Sequence, residues 1–132
     1  MGLRGRIRHI QRPETMDLVA LYQQATVFAL ASDEEGLGVV ILEAMACGVP
    51  VVATRCGGPD GIITHGKDGF LVPLDDADAM ADRLAALCAD AHLNHSLGRQ
   101  ARQTIEARYA EEVAGQAFVD VWDRLLAKAG KR

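Results

Sequence analysis

Short apolar runs alternate with longer stretches of helical periodicity from one end of the chain to the other. Four runs read as strands: Arg6 to Ile10, Val27 to Ala31, Val51 to Thr54 and Phe70 to Val72. The segments between and after them predict helices near 14 to 24, 38 to 47, 76 to 89, 96 to 109 and 111 to 127, each end placed to within about two to four residues. This is the rhythm of βα units and of a parallel sheet covered on both faces. The fold class is therefore α/β, with about four parallel strands and flanking helices. In the last three helices the apolar residues recur at helical spacing: Met80, Leu84 and Leu87, then Leu97, Ala101 and Ile105, then Phe118, Val121, Trp122 and Leu125. These stripes are expected to be core, and the C-terminal helices over about 96 to 127 are expected to pack on one domain spanning residues 1 to 132.

A length of 132 residues suits one such domain and is short for an enzyme that closes two lobes around two substrates. The chain is 49% hydrophobic and 24% charged, a globular balance that excludes a long disordered tract. A net charge of -4 argues against a nucleic-acid partner, and the cluster Arg4, Arg6, Arg8 and Arg12 reads as a solvated strand edge. Cys47, Cys56 and Cys88 are odd in number and show no CxxC spacing, which points to a reducing compartment. The longest apolar stretch, Val39 to Thr54, is broken by Glu43, Gly48 and Pro50, so no transmembrane segment is expected. The N-terminus lacks the apolar run of a signal peptide. These features predict a cytoplasmic protein that meets a membrane only through a partner. The acids of Leu74 to Asp78 precede an amphipathic helix and read as an N-cap rather than an Asp-x-Asp metal site. His92 and His95, without a neighbouring thiol or carboxylate, make a poor zinc site, and no metal is expected anywhere.

Chemistry concentrates in residues 32 to 48, Ser-Asp-Glu-Glu-Gly-Leu-Gly-Val-Val-Ile-Leu-Glu-Ala-Met-Ala-Cys-Gly. This stretch follows a strand, passes a loop containing Gly36 and Gly38, and enters a helix. A glycine loop leading into a helix lets backbone N–H groups approach an anion closely, and the positive helix end favours a diphosphate. Gly48 and Pro50 then end the helix. Glu43 is the one charged residue between Val39 and Cys47, in a helix apolar nearly all round. A buried carboxylate needs donors. A vicinal diol would supply two O–H groups at carboxylate spacing; alternatively the side chain lies on a single wet face of the helix. Glu35 stands eight positions earlier, on the order of 12 Å or more away along a helix or extended loop. That suits two ends of one long ligand better than an acid and nucleophile on one bond. Asp33 and Glu34 read as favourable charge at a helix N-terminus.

The run Glu35-Gly-Leu-Gly-Val-Val-Ile-Leu-Glu43, followed by Ala-Met-Ala-Cys-Gly-Val-Pro-Val-Val-Ala-Thr, resembles the Glu-x7-Glu region of the retaining glycosyltransferase family 4. The resemblance continues through Gly57-Gly58-Pro59-Asp60-Gly61-Ile62-Ile63 and Gly66-Lys-Asp-Gly69-Phe-Leu-Val-Pro73, and backward through Leu21-Tyr22-Gln-Gln-Ala25. It implies a Rossmann-like portion of the C-terminal, donor-binding lobe of a GT-B fold. By that resemblance Glu43 would hold the ribose hydroxyls and Glu35 would contact the donor hexose as the catalytic carboxylate. Backbone amides around Gly36, Leu37, Gly38 and Val39 would meet the sugar and phosphates, and the segment after Ile10 would border the base. The donor would be a UDP-sugar or GDP-sugar, transferred with retention and without a metal or other cofactor.

The pattern also departs from the family. Two βα units that open the family's donor lobe, with an Arg and a Lys for the diphosphate, have no match here, and neither does the acceptor lobe. Arg12 and Arg55 are the substitutes that the sequence offers, and Gln11 stands where many members carry glycine. Transfer is therefore expected to need sequence beyond these residues. The readings in play are the donor-binding portion of a retaining hexosyl transferase, one chain of a split enzyme with an acceptor-lobe partner, and a non-catalytic binding module. The first strand is expected to pair with Val27 to Ala31, or else two chains to associate as a homodimer over the exposed edge.

Overall fold

Two strands of this chain have no polar alternation, and the reason is visible in where they sit. Val51, Val52, Ala53 and Thr54 are all buried, as are Phe70, Leu71 and Val72, because parallel strands are covered on both faces. The computed structural model describes residues 5–11 and 14–129. In chain order its elements are α1 (Thr15–Gln24), β1 (Phe28–Leu30), α2 (Val39–Ala46), β2 (Val51–Thr54), α3 (Gly58–Ile62), β3 (Phe70–Val72), α4 (Ala77–Ala89), α5 (Ala91–Arg108) and α6 (Glu111–Ala129). The three strands form a parallel sheet in the order β1-β2-β3, with Phe28 opposite Val51 and Val52 opposite Phe70. Alternate residues divide the core. Val51, Ala53 and Leu71 face Tyr22, Ile41, Ala44, Met45 and Ala101 on one side. On the other side Val52, Phe70 and Val72 face Leu87 and Leu97.

The α/β, Rossmann-like class holds, but among the described residues the sheet has three strands rather than about four. Residues 6–10 form no strand among the described residues, and Ile7 is 71% exposed. Their apolar-polar alternation satisfies the local requirement for a strand, yet a strand also needs a neighbour for its N–H and C=O groups, and no described segment pairs with it. The expected pairing with β1 is absent for the same reason. Arg4 and Arg12 lie outside the described residues.

Caps set the helix ends. Gly48 adopts φ 72°, and its N–H and that of Val49 donate to Met45 and Ala44 carbonyls at 2.9 and 3.0 Å, the left-handed stop that glycine permits. Asp76 caps α4 through the Ala79 N–H at 2.8 Å, which assigns a structural role to one acid of the Leu74 to Asp78 run. Asp90 caps α5 through the Leu93 N–H at 3.0 Å, so α5 begins at Ala91 and not at 96, and His92 and His95 ride on it with exposed side chains. Among the described residues, no group of three or more His, Cys, Asp and Glu is placed to hold a metal, and no helix is long and apolar enough to cross a membrane.

The α5 stripe is core, with Leu97 and Ala101 buried. The α6 stripe is not. Phe118, Val121, Trp122 and Leu125 are between 49% and 72% exposed. Helical spacing of apolar residues fixes which face of α6 seeks cover but not that a covering surface lies within the same fold, and the main neighbour of α6 is α5.

Backbone contact between α2 and α5 depends on two glycines. A Cβ built on Gly98 would strike the Gly48 carbonyl oxygen, and Arg102 donates from α5 to the Ala46 carbonyl at 2.9 Å. Gly98→Ala is expected to lower unfolding free energy by about 1–3 kcal/mol through overpacking. Gly115→Ala, on α6 with open space around the new methyl, is expected to raise it by roughly 0.5–1 kcal/mol through helix propensity. Denaturant unfolding of both variants checks the contrast.

Candidate functional site

The glycines of the two loops at the carboxyl end of the sheet are used for backbone approach. Beyond β1 and β2 the pairing continues as an isolated parallel bridge between Glu35 and Gly57. The Glu35 N–H donates to the Cys56 carbonyl at 3.3 Å, and the Gly58 N–H donates to the Glu35 carbonyl at 2.7 Å. A Cβ on Gly58 would lie 2.8 Å from both the Glu35 carbonyl oxygen and the Leu37 carbonyl carbon. No other residue fits there. Gly57 has φ 108°, a conformation that only glycine holds without strain. The hydroxyl of buried Thr54 donates to the Ser32 carbonyl at 2.5 Å, fastening the start of the first loop to the end of β2.

This clamp fixes where α2 begins. Gly38, in the left-handed region at φ 77°, is its N-cap and brings no side chain to cap the helix. The first turn of any helix leaves backbone N–H groups without intrahelical acceptors, so those of Val39 and Val40 point out of the helix start beside the loop. Leu37, Val39 and Val40 are exposed around them. The helix start thus offers donors and a positive dipole end.

Glu35 and Glu43 bracket that start, and each holds one protein donor. Oε1 of Glu35 accepts the Gly38 N–H at 3.1 Å, so this carboxylate orders its own loop. Glu43 lies one turn into α2, and side chains on a helix lean toward its N-terminus. Its Oε2 accepts the Tyr22 hydroxyl at 3.0 Å. Glu43 is half-buried, neither on a fully wet face nor sealed in the core. Tyr22 is the one side chain among the described residues that donates to it, and a carboxylate has roughly four acceptor positions. Capacity for further donors remains.

Burial of Tyr22 and the adjoining Glu43 carboxylate push the phenol up from 10.0 to about 12, burial being the larger cause. Both effects disfavour the phenolate. Tyr22 went unnoticed in the sequence as a contributor to the site. It stands in the Leu21 to Ala25 segment of the resemblance with no role assigned to it, and nothing in the sequence says that it faces Glu43.

Of the two basic substitutes, Arg55 already has a partner. The Arg55 guanidinium pairs with Asp60 at 3.2 Å across the start of α3, while Arg12 is outside the described residues. Gln11 lines a cleft with Arg8, Ile10, Glu14 and Asp17, on the far side of α1 from the core. A second cleft of about 500 Å³ opens at the strand ends between Ala31, Thr54, Pro73 and α4, rimmed by Asp33, Asp75 and Asp76.

Comparison with known proteins places this arrangement in context. The sequence profile of the family described as glycosyl transferases group 1 matches residues 1–104. The D-inositol 3-phosphate glycosyltransferase of Corynebacterium urealyticum is 37% identical over 125 residues, covering 95% of this chain and 29% of that protein. The chain therefore spans about a third or less of the length of such relatives. Among solved structures, sucrose-phosphate synthase from Thermosynechococcus elongatus superposes with a TM-score of 0.87 at 30% identity, over 96% of this chain and 32% of that one. Anabaena HepE, in complex with UDP-glucose, superposes with a TM-score of 0.75 at 27% identity, over 82% of this chain and 30% of that one.

The raised Tyr22 phenol makes stability depend on alkaline pH. Between its ordinary value of 10.0 and about 12 the unfolded chain releases this proton and the folded chain keeps it. The stabilisation is complete below pH 10, is lost as pH rises through that window, and changes no further above it. Denaturant unfolding from pH 9 to 12 is expected to reveal this decline, and Tyr22→Phe is expected to lack its share of it.

Proposed function

The chain belongs to the group 1 glycosyl transferases, whose structural neighbours here have the GT-B fold, and from that premise we propose that it carries the donor-binding portion of a retaining hexosyl transferase using a nucleotide-diphosphate sugar. The observation that carries this reading is the placement of the half-buried Glu43 carboxylate one turn inside a helix whose start is a glycine cap with outward N–H groups. A carboxylate accepts two hydroxyls of a vicinal diol, and a helix start accepts a diphosphate, so one helix turn serves adjacent parts of one ligand.

In this reading Glu43 holds the ribose, and the backbone of Gly36, Leu37, Gly38 and Val39 meets the phosphates and the sugar. Glu35, whose Oε1 is held by Gly38, uses its remaining oxygen toward the hexose. Transfer proceeds on the face that the leaving group occupies, with retention. The charge that develops on the departing diphosphate is stabilised by the helix-start amides, with no metal required. A UDP-sugar is the first donor to test, because the HepE structure contains UDP-glucose; a GDP-sugar is the second. The acceptor lobe belongs to the same polypeptide or to a partner chain, and the described residues alone bind donor without transferring it. The free cysteines suit the cytoplasm, and contact with a membrane would come through the acceptor side.

The hydrogen bonds already made by both glutamates favour one other reading, a binding module in which Glu35 and Glu43 serve only the fold. Calorimetric titration of the purified chain with UDP, GDP, UDP-glucose and GDP-mannose, without added metal, separates the two. Donor binding is expected, weakened by about 1.5–3 kcal/mol in Glu43→Ala, the range for a hydrogen bond to a charged group. Absence of binding at millimolar ligand, or binding indifferent to Glu43, would overturn the donor-site reading.

A further inference from the structure

Glu43 stands in a helix whose other residues from Val39 to Ala46 carry no charge, so something outside that helix must decide where its carboxylate points. Three χ angles give a glutamate many rotamers, and ordering them on binding costs affinity. The chain supplies the restraint from α1. Tyr22 is 7% exposed, and its ring lies edge-on against Phe28 with centroids 5.7 Å apart. A buried ring held in this way has little freedom, which makes its hydroxyl a fixed point. That hydroxyl has one proton and two acceptors in reach, Glu43 Oε2 at 3.0 Å and the Val40 carbonyl at 3.5 Å. The shorter, charge-assisted bond to the carboxylate takes the proton.

We propose that Tyr22 is a positioning residue for the donor site: its hydroxyl takes one acceptor position on Oε2 of Glu43 and orients the carboxylate so that its remaining acceptor positions face the ribose hydroxyls of a nucleotide. This rests on the donor-site reading of Glu43. A phenylalanine would fill the same core volume against Phe28 and Ile41, so packing alone does not account for the hydroxyl. The bond is also of the right kind for the task. A neutral donor on one oxygen holds the carboxylate in place without neutralising it, whereas a lysine or arginine there would compete for the lone pairs a diol requires.

The test compares UDP with 2′,3′-dideoxy-UDP, which keeps the base and diphosphate and lacks both ribose hydroxyls. Titrations use the parent chain, Tyr22→Phe, Glu43→Ala and the double variant. Tyr22→Phe is expected to weaken UDP by about three- to tenfold, the cost of ordering one rotamer-rich side chain on binding, and to leave dideoxy-UDP within about twofold. In the Glu43→Ala background, Tyr22→Phe is expected to have no further effect on UDP. Unchanged UDP affinity in Tyr22→Phe overturns the proposal, and so does equal weakening of both nucleotides, which would mark a merely structural role. A parent chain that binds UDP and dideoxy-UDP alike refutes the assignment of Glu43 to the ribose and removes the proposal with it, an outcome distinct from failure at Tyr22 alone. Should Tyr22→Phe not fold, Glu43→Gln, of nearly equal volume, gives the second measurement. Its loss of stability between pH 10 and 12 is expected to be shallower than the parent's, and an unchanged slope overturns the bond on which the proposal stands.

Discussion

The start of α2, and with it the glutamates and helix-start amides of the candidate site, is placed by one close approach, that of the loop after β1 to Gly57 and Gly58 after β2. Hydrogen bonds run both ways across it, from Glu35 N–H to Cys56 and from Gly58 N–H to Glu35, and the space for a side chain at Gly58 is already taken by backbone. Contact of this kind is a steric boundary rather than a net attraction worth many kcal/mol, and it is correspondingly intolerant of change. It sets the height at which residues 35–38 leave the sheet, hence the start of α2, hence the ring of N–H groups and the station of Glu43 one turn later. Thr54, reaching from β2 to the Ser32 carbonyl, holds the other end of the same loop.

Given that geometry, the electrostatic question is how two carboxylates are retained beside exposed apolar residues. Each is stabilised by a single neutral donor, Gly38 N–H for Glu35 and the Tyr22 hydroxyl for Glu43. Neither is neutralised by a salt bridge among the described residues, where the ion pairs are Arg55 with Asp60 and Arg102 with Glu106. A cation on Glu43 would stabilise the empty site at the expense of its acceptor capacity. In the proposed donor-site reading, neutral donors order the oxygens and leave lone pairs for a ligand's hydroxyl groups, the preorganisation that such binding requires.

The parts of the fold that could be read from the chain are those set by local rules. The continuous apolar runs at 51–54 and 70–72 give β2 and β3, Gly48 ends α2, and Asp76 starts α4, because burial on two faces, a left-handed stop and a side-chain cap each leave a mark within a few residues. What escaped depends on partners distant in sequence. The alternation at 6–10 is a strand pattern without a neighbouring strand among the described residues. The stripe on α6 is a core pattern without a covering surface among the described residues. The five-residue helix α3 is too short for a periodic signal, and its glycines read as loop. The Tyr22 to Glu43 bond joins residues 21 positions apart, and no spacing rule connects them. In the candidate site, the glutamates and glycines stand out in the sequence, while the contacts around them do not.

Openness of the site bears on how its two tasks divide. With Leu37, Val39 and Val40 exposed at the helix start, the N–H groups there work against water, where a helix end interacts with an anion by only about 0.3–1 kcal/mol. A diol held by Glu43 is less sensitive to that exposure, since its hydrogen bonds are directional and the carboxylate is half-buried. In the proposed function the ribose contact would therefore anchor the donor in the open state, and the helix dipole would gain its full effect on the diphosphate only when a second surface excludes water. Stabilisation of the leaving group then belongs to the closed assembly rather than to these residues alone. A chain can thus carry a sound nucleotide anchor and still need another lobe for chemistry, since binding uses contacts made with water present and transfer uses those that strengthen when it leaves.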